Sequence, residues 1–248
     1  HKYYHLVTSY SQSPFYSKGE HCQLGAFIGL SFANPYFYGR RLKSLLQYCS
    51  FQYPKVTIVT PGYIYRHCFT NIDPLPDSHL LQLAFIYENR FIKEQLDPLH
   101  NMIDNDKITI KRLGDWVKEI AYLEEDDLIR KYYEKNLSFK NEIDTFAAEF
   151  AKRSAPPVSI NPHNTAQYED FQKRLYRSYV EFLLEELIFF AYMAKTGNPL
   201  CLYPGQVLSS ITFNMHKDKL YNDAPEYLQR VIYGNVQFKR QSNKQTML

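Results

Sequence analysis

Two short apolar runs, LGAFIGL (24–30) and KVTIVT (55–60), most constrain what this chain can fold into. Neither alternates apolar with polar residues, so both predict strands buried on two faces, the pattern of a parallel sheet covered by helices. Between them, YFYGRRLKSLLQYCSF (36–51) repeats its apolar residues at helical spacing with basic residues interleaved, and Pro61-Gly62 ends the second run. The unit is therefore βαβ, with a right-handed crossover and a ligand crevice at the carboxyl ends of its strands. Ser31 stands at that end of the first strand.

The alternation continues downstream. Residues 79–96 predict an amphipathic helix, 107–111 a third strand, and 114–153 two or more helices rich in Glu and Lys. SAPPVSINPHN (154–164) is a proline-rich loop, and residues 165–193 predict a long helix with Lys173, Arg174 and Arg177 early and an apolar second half. The polar end from Gly234 to Leu248 is expected to fray. The expected fold is α/β: one domain over 1–248, a Rossmann-like parallel sheet flanked by helices, with 1–15 and 235–248 peripheral.

The longest apolar stretch, LIFFAYM (187–193), is far shorter than the roughly twenty residues that span a bilayer. The opening HKYYHLVTSY lacks an apolar core before a small-residue cleavage site, so no signal peptide is expected. Cys22, Cys49, Cys68 and Cys201 show no CxxC and no His at ligand spacing; neither zinc nor a disulfide framework is expected, and a reducing cytoplasm fits. Residues 1–60 carry Lys2, Lys18, Arg40, Arg41, Lys43 and Lys55 against the single acid Glu20, although the whole chain has a net charge of only +3. That asymmetry fits either an anionic partner, such as a phosphate backbone, or a solvated basic face.

At Gly29-Leu-Ser31-Phe-Ala33 a hydroxyl meets the sheet edge beside unpaired backbone N–H groups, which can stabilise an oxyanion during acyl transfer. A helix cap is the competing role for Ser31. GLSFA differs from the G-x-S-x-G elbow of serine hydrolases only at Ala33, but that elbow follows several strands and here only one is expected before Ser31. The late histidines available for a triad, His163 and His216, have no motif around them.

GLSFANPYF (29–37), followed by RRLKSLLQYCSFQYPKVTIVTP (40–61), resembles the start of the tRNA-dependent cyclodipeptide synthases. FLLEELIFF (182–190) resembles their helix bearing Y-x-x-x-E, and CLYPG (201–205) the Tyr-containing segment that follows it. The resemblance implies a fold similar to the catalytic domain of class I tyrosyl- and tryptophanyl-tRNA synthetases. It implies an aminoacyltransferase that joins the amino acids of two aminoacyl-tRNAs into a cyclic dipeptide by ping-pong transfer. Ser31 would be the nucleophile, Glu186 would hold the substrate α-ammonium, Tyr203 would assist proton transfer, and Asn34 matches the Asn of one subfamily. Phe27, Gly29, Val59, Phe189 and Cys201 would line the pocket of the first amino acid, where core packing is their competing role.

Two positions depart from the family pattern. Phe182 stands where the family has a catalytic Tyr, and Tyr179, three residues earlier on nearly the same face, is the candidate replacement. Pro204 follows Tyr203 where one subfamily has His, so Asn34 and Pro204 indicate different subfamilies. Neither HIGH nor KMSKS is present; the energy is expected to arrive as a preformed tRNA ester, with no metal and no cofactor. tRNA contacts are expected from Arg40, Arg41 and Lys43, from Arg90 and Lys93, or from Lys173, Arg174 and Arg177, in a monomer. A noncatalytic tRNA-binding protein and a serine hydrolase are the alternatives.

Overall fold

The two apolar runs lie side by side in the computed structural model, which describes residues 4–12, 14–17, 19–70, 75–102, 106–157, 159–161, 164–205 and 223–240. Strand β2 (Ala26–Gly29) pairs in parallel with β3 (Val56–Thr60), Ala26 opposite Val56 and Gly29 opposite Val59. β3 carries β4 (Ile108–Arg112) on its far side, and β2 carries β5 (Leu200–Pro204). Beyond β5 come β6 (Ile232–Arg240) and β1 (Tyr4–Tyr10), giving the order β1-β6-β5-β2-β3-β4. Five strands run parallel. β1 alone is antiparallel, against β6.

Because successive strand residues point to opposite faces, the sheet sorts its side chains into two layers. Ala26, Ile28, Val56, Ile58, Leu200 and Leu202 face helix α1 (Gly39–Gln52), which buries Leu42, Leu45, Leu46 and Cys49 against them. Each such leucine contributes about 2 kcal/mol by leaving water. Phe27, Val59, Cys201 and Tyr233 face the other way, toward α4 (Ile120–Lys135), α5 (Leu137–Arg153) and α6 (Thr165–Lys195). After β3 the chain runs through the short α2 (Gly62–Tyr65), a turn of 3-10 helix at Arg66–Phe69, and α3 (Asp77–Phe91), whose end buries Phe91 in the layer of α1.

Helix α6 is the organising element. The Asn164 side chain accepts from the Gln167 N–H at 3.3 Å and starts it. From Leu187 to Ala194 every residue is buried, as expected of a helix whose apolar surface runs all the way round. It stops at Gly197, whose φ of +86° only glycine adopts without strain. Gly197 N–H donates to Ala194 O at 3.2 Å and Asn198 N–H to Met193 O at 2.8 Å, the paired bonds of a Schellman stop. This turn sends the chain directly into β5 and fixes where Tyr203 falls relative to α6.

Several expectations are corrected. The end predicted to fray from Gly234 is β6 as far as Arg240, inside the sheet, because its amides pair with both β5 and β1. β1 likewise makes part of the region read as peripheral a sheet member. Two strands, rather than one, precede Ser31, and the sheet is mixed at that edge. The helix expected over 79–96 ends at Phe91 and passes through a π turn (Ile92–Leu96). Among the described residues no helix is long and apolar enough to cross a membrane, and no group of His, Cys, Asp and Glu could hold a metal ion.

Candidate active site

β2 ends at Gly29, its ladder closed by Leu30 N–H donating to Val59 O at 3.0 Å, and Ser31 follows half-buried at the carboxyl edge. The helix-cap role does not belong to Ser31. α1 begins only at Gly39, and the intervening 3-10 turn, Pro35–Phe37, is capped by Asn34, whose side chain accepts from Tyr36 N–H at 2.9 Å. Asn34 also donates its amide to Pro204 O at 3.2 Å, tying the loop after β2 to the end of β5. This bond uses the backbone of residue 204, so Asn34 can serve it whether that residue is Pro or His. Tyr203 lies beside both: burial raises its pKa, while hydrogen bonds from the Asn34 and Ser31 side chains work in the opposite direction.

Two adjacent carboxylates on α6 meet different environments. Glu185 accepts from Arg66 Nη1 at 2.9 Å and Nη2 at 2.5 Å, with His67 Nε2 3.2 Å away. Burial acts to raise its pKa, but the hydrogen bonds from His67 and Arg66 win and hold it below the usual value. Glu186, about 100° further round the helix, has no ion pair among the described residues. Burial alone pushes it up to about 7. Cys68, Cys201, Tyr203 and Tyr233 all feel its charge, which places them around it. A buried carboxylate without a cation is costly, and a ligand ammonium is the group that would complete it.

Of the residues expected at the site, Ser31, Asn34, Tyr203 and Glu186 come together at the carboxyl ends of β2 and β5. Phe27, Gly29, Val59, Phe189 and Cys201 also converge beneath them. Phe27 meets Phe189 edge-on with ring centres 5.2 Å apart, and a Cβ on Gly29 would stand 3.3 Å from the Phe189 ring. Phe182 packs half-buried on the same core. Tyr179 does not take its place. Its hydroxyl meets Ser154 Oγ at 3.2 Å and its ring stacks on Phe150 of α5, two helical turns, about 10 Å, from Glu186.

The basic residues divide between the two faces of the sheet. Arg40, Arg41 and Lys43 open α1, and Gly39 N–H donates to Gln95 Oε1 at 3.0 Å, bringing the end of α3 with Arg90 and Lys93 beside them. Lys173, Arg174 and Arg177 lie on the opposite layer, Arg174 held by Asp170 at 3.4 Å. His163 and His216 lie outside the described residues. Cys68 and Tyr233 were missed by sequence reasoning; the alternation of VIYGNV would have put Tyr233 on an inward face, but no motif surrounds either residue.

No protein-family model matches this sequence, and no curated protein matches it. Solved structures do. A CDPS from Fluoribacter dumoffii aligns over 94% of this chain and 99% of its own at a TM-score of 0.74, with 16% identity. The fold is that of the cyclodipeptide synthases. A cyclodipeptide synthase from Candidatus Glomeribacter gigasporarum, bound to Phe-tRNAPhe, aligns over 90% of both chains (TM-score 0.60, 14% identity). A Mycobacterium tuberculosis protein, described as demonstrating that cyclodipeptide synthetases are related to type I tRNA synthetases, covers 87% of this chain and 85% of its own (TM-score 0.59, 13% identity). The synthase fold thus spans nearly the whole chain.

Proposed function

We propose that this protein is a tRNA-dependent aminoacyltransferase that forms a cyclic dipeptide through an aminoacyl ester on Ser31. The observation that carries this reading is Glu186: a half-buried carboxylate without an ion-pair partner among the described residues, grouped with Tyr203, which in turn meets Ser31. A substrate α-ammonium supplies the missing charge and orients the aminoacyl group toward the hydroxyl. The comparisons support the fold on which this chemistry is hung.

In the first step Ser31 Oγ attacks the ester carbonyl of an aminoacyl-tRNA. The new bond is Oγ–C, the bond to the tRNA ribose oxygen breaks, and the serine proton leaves on that oxygen. The α-ammonium gives one proton to Glu186 and attacks the ester carbonyl of a second aminoacyl-tRNA; the N–C bond forms, the bond to that tRNA's ribose oxygen breaks, and the amine's second proton leaves on that oxygen. The terminal amine of the resulting dipeptidyl-Ser31 attacks the serine ester, closing the ring and returning a proton to Oγ through Tyr203. A group with a pKa near 7 is well matched to exchanging a proton with an amine at neutral pH. No step requires ATP, since the tRNA ester is already activated. The tRNA is held by phosphate contacts from the basic surface.

Intact-mass analysis after mixing the protein with a charged tRNA pool tests this. One added aminoacyl group mapped to the peptide holding Ser31, and its loss in Ser31→Ala together with the diketopiperazine, are expected. Cyclic product from Ser31→Ala at the wild-type rate refutes the serine mechanism. Folded wild-type protein that binds tRNA but yields neither adduct nor product establishes instead a noncatalytic tRNA-binding role, the reading that Phe182 favours.

A further inference from the structure

The family resemblance leaves the amine-binding site one hydroxyl short, because Phe182 cannot hydrogen-bond and the Tyr179 hydroxyl is engaged with Ser154. β6 supplies a different phenol. In the β5–β6 ladder Cys201 stands opposite Tyr233 and Tyr203 opposite Asn235, so all four side chains leave the sheet on the face that α6 covers. Tyr233 is 4% exposed and packs in the same cluster as Phe189 and Phe190, which flank the helical turn of Glu186. Its backbone is clamped on both sides by Ser11: Ser11 N–H donates to Tyr233 O at 2.8 Å, and Tyr233 N–H donates to Ser11 Oγ at 2.9 Å. Two residues on, on the same face, Asn235 Oδ1 is buried with no hydrogen-bond partner among the described residues.

We propose that Tyr233 is a further substrate-contacting residue, whose hydroxyl accepts a hydrogen bond from the substrate α-amine beside Glu186, in the role that a phenol at position 182 would otherwise fill. The inference rests on the proposed function. A neutral phenol suits this place: its oxygen accepts from the ammonium, whereas a second anion would repel the Glu186 carboxylate. Burial, followed by the nearby charges of Cys201, Glu186 and Tyr203, raises the Tyr233 pKa well above the ordinary value, so the group stays a phenol throughout the working range. The orphaned Asn235 oxygen lies one pleat nearer the sheet edge, where it adds a second acceptor for the same end of the substrate.

Tyr233→Phe, Phe182→Tyr and the double variant are compared for formation of aminoacyl-Ser31 by intact mass and of cyclic dipeptide by mass spectrometry. Tyr233→Phe removes one oxygen and little volume, and its expected effect is an activity loss of about ten- to a hundredfold, as for a lost hydrogen bond to a charged group. In the double variant the hydroxyl restored at position 182 recovers most of that loss, a coupling that a purely structural role does not produce. Wild-type activity in Tyr233→Phe, or a loss that the double variant does not recover, overturns the inference while leaving the proposed function intact. Wild-type protein that forms neither adduct nor product overturns both.

Discussion

Glu185 and Glu186 are neighbours in sequence, yet one is satisfied by the fold and the other is left for a ligand. Arg66 neutralises the first, so its ionised form is native. The second is an acid whose folded pKa, about 7, lies above its ordinary 4.5. An acid shifted in this direction binds more protons folded than unfolded, so stability falls as pH rises from about 4.5 to 7, and the cost is fully present above 7. Glu186→Gln keeps the shape without the charge. It is expected to be more stable than wild type by about 2 kcal/mol at pH 8, after discounting for the partial exposure of the side chain, and nearly equal to it at pH 5. Urea denaturation at the two pH values measures this; an equal difference at both would show that the gain is not electrostatic. The same substitution should abolish cyclic product, since an amide neither neutralises the ammonium nor takes its proton.

Among the elements, those with continuous apolar runs were legible in the sequence. β3 and β4 fall within one residue of their expected bounds, and β2 and α6 within two. β6 was not legible, because IYGNVQFKR mixes Gly, Asn, Gln and a basic end, and only its pairing with β5 and β1 makes it a strand. The candidate site divides in the same way. Ser31, Glu186 and Tyr203 sit in recognisable blocks, while Tyr233 and Cys68 reach Glu186 through strand register and a short turn that no local pattern announces. That turn, Arg66–Phe69, is fastened to α6 by the Arg66–Glu185 pair and so carries Cys68 to Glu186. Arg66→Met leaves Glu185 buried without its bidentate partner and is expected to cost about 3 kcal/mol; Arg66→Met combined with Glu185→Leu should recover most of it, since removing both charges is far cheaper than removing one. Chemical denaturation of the single and double variants checks this. A double variant as unstable as the single would show that the turn depends on packing rather than on the ion pair.

At the scale of the whole molecule, the sheet separates two basic clusters that the sequence offered as equivalent tRNA surfaces. The Lys173, Arg174 and Arg177 group begins thirteen residues before Glu186, about 20 Å along the helix axis, on the α5–α6 layer. The α1–α3 group instead adjoins the loop that holds Ser31. Tyr38 donates its hydroxyl to Phe32 O at 2.5 Å, and the Phe32 ring meets Phe91 at the end of α3 with centres 5.2 Å apart, so the basic start of α1 and the end of α3 form a rim beside the loop that follows Ser31. Under the proposed function a charged tRNA presents its 3′ end to Ser31, which would put the neighbouring acceptor-stem phosphates within reach of this rim. Charge reversal at Arg40 and Arg41 should therefore raise KM for aminoacyl-tRNA with little change in kcat, because phosphate contacts position the tRNA in ground and transition states alike. The slope of log binding constant against log salt should fall by roughly one for each phosphate left without its cation. Reversal at Lys173 and Arg177 should leave KM and slope within about twofold of wild type, a small difference beside the order-of-magnitude changes that follow when several phosphates are no longer neutralised. Titrations of both variants at two or more ionic strengths decide between the faces: if only the α6 variant loses affinity and slope, the tRNA approaches across α5 and α6, and its 3′ end must cross the roughly 20 Å to the helical turn of Glu186 unaided by the α1–α3 rim.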